Sequence, residues 1–134
     1  MKQLARTPPG LNPTAKRPAN KPMPDQVAYK ILTAEQWAQW QASGTFAGAP
    51  VDLADGYVHL SSADQVTETA DKHFAGQVDL VVVRVDLAAL GQAVRWEPSR
   101  GGAVFPHVYG ALPLAVAIAA LPLARDSRDA VIIN

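Results

Sequence analysis

Apolar side chains along this chain recur at two spacings, and the order of elements follows from where one gives way to the other. Val27 to Leu32 (VAYKIL) is a short β-prone run and reads as the first strand. Thr33 with Gln36 three residues later is a capping-box pattern, opening a helix that carries Trp37, Trp40 and Gln41 and stops at Ser43-Gly44. At helical spacing the two tryptophans read as core. Residues 46–55, with Gly48, Pro50 and Asp55-Gly56, read as a loop. Tyr57 to Ser62 (YVHLSS) predicts a second strand. Ser62 with Gln65 repeats the capping box ahead of a helix over residues 63–75, ended by Gly76.

Leu80 to Val85 (LVVVRV) is almost unbroken and β-branched, the pattern of a central buried strand. Residues 93–97 (AVRWE) predict another strand and PSRGG a turn. Residues 104–110 (VFPHVYG) predict a strand that Pro106 marks as an edge or a bulge. Leu114, Val116 and Ile118 alternate ahead of Pro122, which predicts a strand with an alanine-rich helix as its rival; residues 131–133 pair or fray. Two early helices followed by clustered strands predict an α+β fold rather than a doubly wound parallel sheet.

Composition sets the limits. A chain of 134 residues with 49% hydrophobic residues suits one domain with a buried core. The absence of cysteine excludes disulfide scaffolds, thiolate zinc sites and cysteine nucleophiles, and fits a cytoplasmic location. The formal charge of +0 is a sum of two unlike parts. Residues 1–26 hold five Lys and Arg against Asp25 alone, and six of the eleven prolines; residues 27–134 hold seven cations against eleven carboxylates. The first part reads as a disordered, basic, Pro-rich tail, and residues 27–134 as a single acidic domain of charge −4. No apolar run is long enough for a secretory signal or a membrane span.

Strand alternation puts Tyr57, His59 and Ser61 on one face and Phe105, His107 and Tyr109 on another. Paired, the two rows would form a cleft that sandwiches a planar ring. Arg100 with Gly101 and Gly102 offers a guanidinium and open backbone for an anion. Glu97 is a candidate acid, base or ribose-binding carboxylate. His59 and Ser61, roughly 6–7 Å apart along a strand, are too far apart for a direct proton relay. His59, His73 and His107 lack metal-ligand spacing, so no metal site is predicted. His73, at the end of the second helix, suits the helix dipole.

Taken together, AYKIL, DGYVHLSS, HFAGQ, DLVVVRVD, WEPSRGG and FPHVYGALPL resemble the bacterial family known as domain of unknown function 952, over about Val27 to Leu123. The resemblance implies an ADP-ribosyltransferase-like fold, a split mixed or antiparallel sheet whose cleft holds NAD in active relatives. By the same resemblance, Lys30 and His59 would grip the dinucleotide and His107 would lie near the late catalytic position. Many members of the family carry histidine where Lys30 stands.

Three functions compete at this level. One is an NAD- or nucleotide-using transferase or hydrolase: His59 and Ser61 hold a ribose, Tyr109 stacks, Arg100, Gly101 and Gly102 hold phosphate, and His107 and Glu97 act as acid or base. The second is a non-catalytic module for a nucleotide-like metabolite, favoured by Lys30 in place of histidine. The third is interaction through the tail, although the acidic body argues against nucleic acid lying across the domain.

Overall fold

Six buried residues in succession leave β1 (Val27–Thr33) almost no solvent face, so the chain on both sides of it has to supply cover. The computed structural model describes residues 26–99 and 102–133. The expectations for residues 1–25, for Arg100 and for Gly101 lie outside the described residues.

β1 pairs antiparallel with β4 (Leu80–Asp86), which pairs on its other edge with β8 (Ala117–Pro122). The β-branched run thus occupies the centre of its sheet, as its pattern predicts. A second antiparallel sheet runs β3 (Val58–His59), β6 (Val104–Val108), β5 (Val94–Pro98). The two sheets meet where the Tyr29 N–H donates to the Ser61 carbonyl (2.7 Å) and the Ser61 N–H donates back to Tyr29 (2.9 Å). A short pair, β2 (Thr45–Phe46) with β7 (Leu112–Pro113), completes the strands.

α1 (Ala34–Ser43) opens on the full capping box of Thr33 and Gln36 and closes on Gly44 at φ 82°, a left-handed position suited to glycine. α3 (Val66–His73) is shorter than residues 63–75, because Ser62 to Gln65 form a turn before it. Alternation along β1 and β4 builds two cores. Ala28, Leu32, Val83 and Val85 pack with Trp40, Phe46, Val58, Leu60, Val108 and Leu112. Tyr29, Ile31, Leu80 and Val82 pack with Val66, Ala70 and Val131. No helix among the described residues is long and apolar enough to cross a membrane.

Four local expectations are corrected. Residues 46–55 are not a loop: they contain β2's Phe46 and a third helix, α2 (Pro50–Asp55), with Pro50 in its first turn and Gly56 closing it at φ 89°. Tyr57 to Ser62 is not one continuous strand, because the ladder holds only Val58 and His59. The cause is Pro106, which accepts from the Leu60 N–H through its carbonyl but has no N–H to return. Pro106 accordingly ends the β3 ladder from within the middle strand β6, at neither an edge nor a bulge. Leu114 to Val116 form a 3₁₀ turn and the strand starts only at Ala117, so the alternation of Leu114, Val116 and Ile118 does not mark one strand.

Candidate functional site

Lys30 is the one charged residue in the buried strand β1, and its ammonium has to find partners inside the protein. It finds the carboxylate of Asp52, with Oδ2 at 3.0 Å, and the carbonyl of His59 at 3.0 Å. Asp52 is itself almost wholly buried. As the third residue of α2 it reaches back to the Ala49 N–H (2.7 Å), and it also accepts from the His59 N–H (3.0 Å) and pairs with His59 Nδ1 (2.6 Å). Burial works to raise the Asp52 pKa. Lys30, the His59 ring and the two backbone N–H groups outweigh it and hold the carboxyl below its ordinary range. Burial pushes the Lys30 amine down from its ordinary value, against the pull of Asp52.

His59 Nε2 meets Oδ2 of Asp55, the exposed last residue of α2, at 2.9 Å. His59 therefore lies between a buried and an exposed carboxylate. Directly across the ladder stands His107, with the two rings 5.3 Å apart. His107 Nδ1 pairs with Glu97 Oε1 at 2.9 Å, and the Tyr109 hydroxyl donates to the same oxygen at 2.8 Å. These two bonds, His107 first, hold Glu97 below the usual carboxylate range, and the same contact raises the Tyr109 phenol. His107 is buried, and its Nε2 has no hydrogen-bond partner among the described residues. The Tyr57 ring stacks on His107 at 4.2 Å and tilts against His59 and Tyr109, while the Arg95 guanidinium covers Tyr109 at 4.8 Å.

The structure thus brings together His59, Glu97, His107 and Tyr109, and joins Lys30 to them from behind through Asp52. The cleft predicted between the two rows is filled: at 4.2 Å no planar ring fits between Tyr57 and His107. Ser61 lies apart, with its hydroxyl 2.8 Å from that of Thr69. Gly102 occupies the exposed turn joining β5 to β6, beyond Val104 at the end of the ladder, which is itself about 10 Å from His107. A broad, open depression of about 840 Å³ runs beside α1 and α2 over Trp40, Phe46, Gly48 and Leu53. None of the two histidines, Glu97 or Tyr109 lines it. The polar and aromatic face is the better candidate because its groups retain unused bonding capacity.

A family model described as "Protein of unknown function (DUF952)" matches residues 31–120. The chain belongs to the DUF952 family. The crystal structure of protein CC0527 from Caulobacter crescentus is 42% identical, with a TM-score of 0.72, covering 79% of this chain and 93% of that one. The solution NMR structure of CC0527 is 43% identical at a TM-score of 0.69, covering 78% and 90%. No curated protein matches the chain.

In this DUF952 domain, sequence reasoning missed Asp52 and Asp55, which contact the two ring nitrogens of His59. Their signal was present: Pro50, Asp52 and Gly56 are the first-turn proline, first-turn acid and closing glycine of a short helix. Among the described residues, no group of three or more His, Cys, Asp or Glu is arranged to hold a metal ion.

Proposed function

We propose that the protein binds a nucleotide-like small molecule, with NAD the first candidate, on the face formed by β3, β6 and β5, in the manner of an ADP-ribosyltransferase-like fold. The observation that carries this reading is the gathering of Tyr57, His59, His107 and Tyr109 with Glu97 and Arg95 on one face. Rings suit a planar base. Among the described residues Glu97 uses only Oε1, which leaves Oε2 for a ribose hydroxyl. Arg95, over the Tyr109 ring, suits phosphate. His107 Nε2, buried and without a hydrogen-bond partner among the described residues, is the candidate acid–base atom.

Binding without turnover is the reading favoured within this proposal. His59 has both ring nitrogens against carboxylates, and Lys30 is committed to Asp52, so neither offers a free group to a reacting atom. The test is incubation of the full chain with NAD or ADP-ribose, following the melting temperature and nicotinamide release together. Stabilisation without release supports the binder. Release with NAD establishes transfer or hydrolysis instead. Neither signal with either ligand refutes the reading. Glu97→Gln and His59→Ala should abolish the stabilisation; Glu97 is half-exposed, so its loss leaves the fold intact.

A further inference from the structure

The Lys30 ammonium and the His59 ring both address the buried carboxylate of Asp52. Carboxylate oxygens accept and do not donate, so the contacts of His59 with Asp52 and Asp55 suit a ring that donates from both nitrogens. The cluster of Lys30, Asp52 and His59 then carries one positive charge more than its own carboxylate offsets. Asp55 supplies the balancing charge from outside.

The two aspartates are held very differently. Asp52 is fixed by four donor groups: the Lys30 ammonium, the His59 ring, and the N–H groups of Ala49 and His59. Among the described residues the Asp55 carboxylate has one polar partner, the His59 Nε2, and its side chain is 41% exposed at the end of a six-residue helix that turns away at Gly56. An exposed ion pair of that kind is weak, because water screens it and competes for both partners.

We propose that the Nε2 edge of His59 is an anion subsite closed in this structure by Asp55. A phosphate or carboxylate oxygen of the ligand displaces the Asp55 side chain and takes its bond. Asp52 and Lys30 act behind the subsite as positioning residues: they fix the ring through Nδ1 and through the His59 carbonyl, so that Nε2 faces outward. In naming phosphate as the ligand group, the proposal rests on the nucleotide reading of this face. The anion subsite itself follows from the charge arrangement alone.

The experiment is calorimetric titration of the full chain with inorganic pyrophosphate, ADP-ribose and NAD, comparing wild type with Asp55→Asn and Asp55→Ala. Both substitutions alter an exposed side chain and leave the Asp52 contacts in place. Each should bind pyrophosphate about fivefold more tightly than wild type, the competition of an exposed ion pair being worth a factor of that order. Adding His59→Ala to Asp55→Ala should remove the gain. Carbethoxylation supplies a readout free of ligand identity. His59 should react faster in Asp55→Ala than in wild type, with exposed His73 as the internal reference, and pyrophosphate should protect it.

Equal pyrophosphate affinity in wild type and both Asp55 variants overturns the proposal, as does a gain that survives His59→Ala. Faster carbethoxylation without any pyrophosphate binding also overturns it, since Asp55 would then cover the ring and nothing would replace it. If pyrophosphate shows the gain while NAD and ADP-ribose bind nowhere, the nucleotide reading falls and the anion subsite stands. If NAD binds wild type and both Asp55 variants alike, the nucleotide reading stands and the subsite falls.

Discussion

Asp52→Ala tests the network on which the placement of His59 depends. In the wild type Lys30 Nζ lies 3.0 Å from Asp52 Oδ2, with both groups buried. At an effective dielectric near 20 that separation corresponds to an attraction of about 5.5 kcal/mol, most of it offset by desolvating the two ions. Removing the carboxylate leaves the desolvation of Lys30 uncompensated, and the N–H groups of Ala49 and His59 lose their acceptor. Deleting one partner of such a pair costs roughly 3–5 kcal/mol. Global stabilities are of the order of 5–15 kcal/mol, so this is a large fraction of the total. For a domain of this size the melting temperature should fall by at least about 12 °C. Urea unfolding monitored by tryptophan fluorescence measures the loss, because buried Trp40 reports on the core beside the site. Lys30→Met on the Asp52→Ala background should recover about 1–3 kcal/mol by removing the stranded charge. A loss below about 1 kcal/mol for Asp52→Ala would refute the reasoning, and so would a double variant less stable than the single one.

The Asp52 carboxyl is held below its unfolded value of 3.8, so its stabilising contribution is complete above that pH and is lost as pH falls through the folded value. Urea midpoints taken from about pH 5 to about pH 3 should therefore drop more steeply in wild type than in Asp52→Asn, and equal slopes would count against the network. The bond from Tyr109 to Glu97 raises the phenol above its ordinary 10.0; in an ultraviolet tyrosinate titration one tyrosine should ionise late, and Glu97→Gln should abolish the delay. Gly48 sits at φ 132°, and a Cβ there would come within 2.9 Å of the Asp52 Cβ. Gly48→Ala should cost roughly 1–3 kcal/mol by calorimetry, and an unchanged melting temperature would show that α2 yields at no cost.

Local signals in the sequence account for much of the fold. Thr33 and Gln36 placed a helix start and Gly44 its end, because caps depend on neighbours three or four residues apart. The run from Leu80 to Val85 announced a strand buried on both faces. The histidine rows were legible because strand alternation is a local rule, and the ladder does set His59 opposite His107. The short helix of Pro50 to Asp55 has the glycines and proline of a loop in its sequence, although its first-turn proline and closing glycine also fit a helix.

What the sequence determined by itself was the α+β order, the faces of the central strands and the contrast in charge between residues 1–26 and 27–134. Only the tertiary structure decided how the charges pair. Lys30 and Asp52 are 22 residues apart, and Glu97 and His107 are 10 apart across a hairpin whose register sets their contact. Nothing local in either stretch shows that a lysine in an apolar strand and an acid in a supposed loop share one buried space. The physical reason is the cost of burying charge. Lys30 is tolerated in β1 only because the folded chain brings Asp52 to it, and that partnership in turn aims His59.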